Sequence, residues 1–105
     1  MFSELHIFFD RLLKLVSEVS GIPVQDILKS NETDAVDARN VVVYVLHNEG
    51  AYCRNIAKLL NRTPRAIRYM LSNFDNRCAN SKYLRSIYDD VVKRIGNNFE
   101  ILGKR

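Results

Sequence analysis

The four residues Asn61-Arg62-Thr63-Pro64 lie between two short runs of helical periodicity and leave few options for the chain on either side. After glycine, asparagine is the residue that most readily takes a left-handed backbone, so Asn61 suits the end of one helix. The Thr63 hydroxyl can cap the next helix, and Pro64 suits its first position, where no N–H is needed. The enclosing segment, YCRNIAKLLNRTPRAIRYMLSNF (52–74), reads as a helix over about 52–60, a tight turn, and a second helix over about 64–73. Ala57, Ile67 and Met70 supply the small or apolar side chains that such a pair needs where it packs. With Ile67 and Met70 pointing inward, Arg65, Arg68, Tyr69 and Ser72 are left mostly outward. That is the pattern of a helix-turn-helix whose second helix can fit the major groove of DNA.

The rest of the chain is also helical in period. Phe2, Leu5, Phe8, Phe9, Leu12, Leu13, Val16 and Val19 predict a first helix from about Phe2 to Val19, ending near Ser20-Gly21. GIPVQDILKS (21–30) reads as a turn and a short helix with Pro23 near its start. In VVVYVL (41–46), five of six residues are β-branched or aromatic, which taken alone favours a strand. No other segment offers a strand to pair with, and a lone strand leaves its backbone hydrogen bonds unmet. The run is therefore assigned to a helix over about Thr33 to Asn48, apolar enough to be the central one. Glu49-Gly50 breaks the chain, and FDNRCANS (74–81) reads as a polar connection. Tyr83, Leu84, Ile87, Tyr88, Val91, Val92 and Ile95 then give a last helix ending at Gly96-Asn97-Asn98, with a tail partly ordered through Phe99, Ile101 and Leu102. The expectation is an all-α bundle of about six helices forming one domain over residues 1–105.

Charge is unevenly spread. Residues 1–49 carry net −4, whereas residues 50–85 set eight basic side chains against Asp75 alone, net +7. Six of those eight are arginine, which favours bidentate contacts to phosphate and guanine. A basic face of this kind points to a polyanionic partner, here double-stranded DNA. Arg65 and Arg68 are the candidates for base edges, and Thr63 and Tyr69 for either bases or phosphates. Tyr69 is equally suited to packing against its neighbours. Arg54 and Lys58 on the first motif helix, and Arg62 at the turn, are placed for the phosphate backbone, and Arg77 extends that track. Lys82 and Arg85 read as a solvated helix face.

Other classes find little support. No apolar run approaches the roughly 18–20 residues of a membrane span. The apolar N-terminal stretch is interrupted by Glu4 and Asp10 and does not read as a signal peptide. Cys53 and Cys78 form no CxxC pair and His6 and His47 are scattered, so neither a metal nor a cofactor is expected, and the thiols are expected free in a cytoplasmic setting. Cys53 and His47 lack the third group and oxyanion donor of a nucleophilic enzyme, and no small-molecule substrate is evident.

Three segments in order carry a family likeness: VSEVSGIPVQDILKS (16–30), VDARNVVVYVL (36–46) and NIAKLLNRTPRAI (55–67). From about Leu15 to Ile95 the chain resembles the C-terminal DNA-binding domain (domain IV) of the bacterial replication initiator DnaA, whose fold is grouped with the Trp repressor. The resemblance implies a Trp-repressor-like fold and DNA binding, in replication or in transcription regulation. It does not imply the initiator's own target, because Thr63, Pro64 and Arg65 stand where the family reads bases with an Asp-His-Ser/Thr run. The family's basic loop after its short helix is replaced by Asn31-Glu32-Thr33-Asp34, whose acids repel phosphate. That acidic loop favours an alternative, a protein-interaction module that keeps the helices without DNA. The aromatic first helix is the candidate surface for a homodimer.

Overall fold

A computed structural model describes residues 4–97, which form seven α-helices and no strand. In chain order these are α1 (Glu4–Ser20), α2 (Val24–Lys29), α3 (Thr33–Asn48), α4 (Cys53–Leu60), α5 (Pro64–Ser72), α6 (Phe74–Asn80) and α7 (Lys82–Asn97). Phe2 and the tail residues Phe99, Ile101 and Leu102 lie outside the described residues. Among those described, no helix is long and apolar enough to cross a membrane.

The β-prone run falls inside α3, which packs against all six other helices. Val41, Val42, Val43 and Leu46 are fully buried, so consecutive positions around α3 all face protein. The energetics favour this outcome. Valine costs a helix at most about 0.7 kcal/mol relative to alanine, whereas burying one contributes roughly 1.5–3 kcal/mol. On α1, Phe8, Phe9, Leu12, Leu13 and Val16 turn into the same core, and on α7 Leu84, Ile87, Val91 and Ile95 do so. The aromatic stripe considered for self-association is thus occupied within the protein's own interior. Ile7 is the large apolar side chain that α1 leaves exposed.

The segment expected as a polar connection is the helix α6. Asparagine and aspartate are poor helix formers, but tertiary anchoring outweighs that preference. Phe74 is buried and stacks on Tyr44 of α3 at 3.8 Å, and both meet Tyr88 of α7 edge-on at 5.3 and 5.5 Å. Each such aromatic pair contributes about 0.5–1.5 kcal/mol beyond area burial.

Three polar side chains are buried on α3: Asp37, Arg39 and Asn40. The Asp37 carboxylate accepts from Arg77 Nη2 at 2.7 Å and from Ser81 Oγ at 3.0 Å. Ser81 Oγ in turn accepts the Leu84 N–H at the start of α7, so one buried carboxylate fixes the α6–α7 corner. Arg39 donates to Ile27 O at 2.7 Å and Ser30 O at 2.5 Å, satisfying carbonyls at the end of α2. Asn40 Nδ2 donates to Val36 O one turn back.

Two outcomes test this account. Replacing Asp37 with Ala leaves the Arg77 guanidinium without its acceptor and should lower stability by about 2–3 kcal/mol, read as a reduced urea midpoint with unchanged slope. Asn61 has φ 55° and ψ 49°. Asn61→Gly should therefore be neutral or slightly stabilising, and Asn61→Val should cost about 1–2 kcal/mol or more in the same measurement.

Candidate nucleic-acid interface

The α4–α5 pair is built by its turn. Arg62 N–H donates to Ala57 O at 2.9 Å and Asn61 N–H to Lys58 O at 3.3 Å, the two bonds of a Schellman ending. That geometry requires the left-handed residue between them, which is Asn61. Thr63 Oγ1 then accepts from Ala66 N–H at 3.1 Å, and Pro64 opens α5. The sequence therefore sets both the end of one helix and the start of the next within four residues.

Each helix buries one side and presents the other. On α4, Ile56, Ala57 and Leu60 are buried while Arg54 and Lys58, four residues apart on one face, are exposed. On α5, Ile67 is fully buried and Met70 and Leu71 half-buried, as Ala57, Ile67 and Met70 were expected to be inward. Arg65, Arg68, Tyr69 and Ser72, spaced i, i+3, i+4 and i+7, are all exposed. Tyr69 keeps 66 % of its surface, which decides its orientation in favour of solvent. Ser72 Oγ donates back to Tyr69 O at 3.1 Å.

The electrostatics are one-sided. Among the described residues, no carboxylate forms an ion pair with Arg54, Lys58, Arg65 or Arg68. The Arg54 guanidinium lies 5.9 Å from the ring centre of exposed Tyr52, a cation–π contact that leaves it outward. By contrast Arg85 pairs with Asp89 at 3.6 Å along α7.

Two of the expected phosphate contacts are placed differently. Arg62 is half-buried and its Nη2 donates to Leu28 O at 3.1 Å, beside the Arg39 contacts to Ile27 and Ser30. Two guanidinium groups therefore hold the C-terminal carbonyls of α2, where positive charge is favoured. Burial, and after it the charge of Arg62, lowers the Arg39 pKa from the ordinary arginine range. Arg77 is committed to Asp37, which is 2 % exposed. Both arginines are thus tied to the fold, and the exposed set is Arg54, Lys58, Thr63, Arg65, Arg68 and Tyr69. Counting arginines along the chain could not separate the two groups. The available signal was Asp37 itself, a carboxylate on the apolar stripe of the central helix that required a cationic partner.

The remaining chemistry offers little. Both cysteines are unpaired, and burial, the leading cause, pushes the Cys78 thiol pKa up, away from a reactive thiolate. Among the described residues no group of His, Cys, Asp and Glu side chains is arranged to hold a metal ion.

Comparison of the chain with protein-family models, with curated proteins and with solved structures finds no match.

Proposed function

We propose that this protein binds double-stranded DNA in a sequence-specific manner, with α4 and α5 acting as a helix-turn-helix in a Trp-repressor-like bundle. The observation that carries the reading is the outward row Arg65, Arg68 and Tyr69 on a capped helix with no acidic partner among the described residues. In this reading α5 enters the major groove, Arg65 and Arg68 reach base edges, and Thr63 and Tyr69 flank them. Arg54 and Lys58 sit against the phosphate backbone and set the register. The resemblance to the C-terminal domain of the replication initiator DnaA supports the same fold and partner, in a small regulator or an accessory replication factor. A second reading, a helical protein-interaction module, draws on exposed Glu32 and Asp34 at the start of α3, where a phosphate-facing loop would be basic.

Affinity for mixed duplex DNA across a salt series separates the two. The two phosphate contacts of Arg54 and Lys58 give a log–log slope near about −2. Absent or salt-independent binding would leave the interaction module. Arg65→Ala should reduce discrimination between preferred and random duplex by about 1–3 kcal/mol, whereas Lys58→Ala should weaken all duplexes alike and flatten the slope by about one. Arg77→Ala provides the contrast. It should lower the denaturant midpoint while leaving the salt slope of the folded protein unchanged, because its guanidinium serves Asp37.

A further inference from the structure

Local rules ask for a different residue at position 52. Tyr52 precedes α4 with φ −79° and ψ 150°, the backbone of a helix N-cap. Ser, Thr, Asp and Asn are favoured there because their side chains accept an N–H of the first turn. Thr63 does so for α5, but the Tyr52 side chain makes no such bond for α4. Nor does it serve the core. Tyr52 keeps 68 % of its surface, and among the described residues its hydroxyl has no hydrogen-bond partner. Tyr44 and Tyr88 are instead half-buried in the ring cluster with Phe74, and Tyr83 donates to Ser20 O. A residue that breaks a local preference without a gain in packing marks a place where function is expected.

The ring of Tyr52 lies instead against Arg54, whose guanidinium is 5.9 Å from the ring centre, within cation–π range. Two residues apart inside a helix, side chains point about 200° away from one another and do not meet. Tyr52 escapes this because it stands before α4 with an extended backbone, so its ring can lie beside a side chain of the first turn. Arg54 is itself exposed, and no carboxylate among the described residues pairs with it. The ring is therefore the partner that restrains it.

We infer that Tyr52 is a positioning residue of the nucleic-acid interface, holding the Arg54 guanidinium outward for a phosphate of duplex DNA. The inference rests on the DNA-binding reading and adds to it a residue without charge. An unrestrained arginine gives up rotamer freedom when it binds, whereas a guanidinium already laid on a ring gives up less. The ring face and not the hydroxyl supplies this restraint, so phenylalanine serves as well. Lys58, one turn further along the same face, has no ring beside it among the described residues and binds without this aid.

Affinity for mixed duplex DNA at one fixed low salt, measured on the full chain and on single and double variants, provides the test. Tyr52→Ala should weaken binding about two- to fivefold, the range of an exposed cation–π contact, with the urea midpoint unchanged. Tyr52→Phe should bind as the wild-type chain does. In an Arg54→Ala background Tyr52→Ala should cost nothing further, whereas in a Lys58→Ala background it should cost the same factor again. Wild-type affinity in Tyr52→Ala would overturn the proposal and leave the DNA-binding reading in place. So would a loss in Tyr52→Phe, or a loss from Tyr52→Ala that persists without Arg54, since either gives Tyr52 a role that does not pass through the guanidinium. Absence of duplex binding by the wild-type chain removes both readings.

Discussion

The carboxylate of Asp37 sits inside the protein on its most buried helix, and much of the architecture follows from satisfying it. An ionised group left there without partners would cost several kcal/mol. Arg77 and Ser81 supply those partners from α6 and the start of α7, at 2.7 and 3.0 Å. The requirement therefore acts at a distance along the chain. It holds the seven-residue α6, which is polar in composition, in place against α3. It also orients Ser81, whose oxygen receives the Leu84 N–H in the first turn of α7. Stacking of Phe74 on Tyr44 fixes the same corner from the apolar side. Polar specification and apolar packing thus agree on one arrangement, which is the condition for a single well-defined fold.

The central helix also determines which basic residues face solvent. Arg39 and Arg62 converge on the carbonyls that end α2, and Arg77 is drawn to Asp37. What remains on α4 and α5 is a set of basic side chains on the opposite sides of those helices from Ile56, Ala57 and Ile67. Burial of these three determines the outward direction of Arg54, Lys58, Arg65 and Arg68, since residues at i, i+3 and i+4 share a face. The exposed charge is in that sense a by-product of packing, and the face it occupies is set by the core behind it.

Much of this was legible in the chain, because local rules and burial pointed the same way. Thr33–Asn48 was readable as a helix despite its valines, since no second strand existed to pair with it. Asn61, Thr63 and Pro64 each carry a local preference that the turn uses. The failures share a physical cause. Residues 74–81 read as a connection because the anchors of α6, Tyr44 and Asp37, lie 30 and 40 positions away from Phe74 and Arg77, beyond any local window. Arg62 and Arg77 were grouped with the exposed arginines for the same reason. A guanidinium looks alike in sequence whether its acceptor is a phosphate or a carbonyl such as Leu28 O, 34 residues earlier.

The acidic stretch after α2 weighs less against nucleic-acid binding than its composition suggests. Asp37 is buried in an ion pair and contributes little field at the surface. Asp34 lies in the first turn of α3, where negative charge offsets the helix dipole by about 0.3–1 kcal/mol. Glu32 precedes α3 and makes no side-chain cap bond, so it is the acid in this stretch whose charge faces outward without a capping role. Two of the three acids thus have an intramolecular reason to be acidic. Their acidity is accounted for by the start of α3, and under the proposed function any contact with nucleic acid falls to α4 and α5. Among the described residues, a binder built this way offers no basic loop after α2 for the minor groove. Its affinity would rest on few phosphates, and its selectivity on the two arginines and one tyrosine that α5 holds outward.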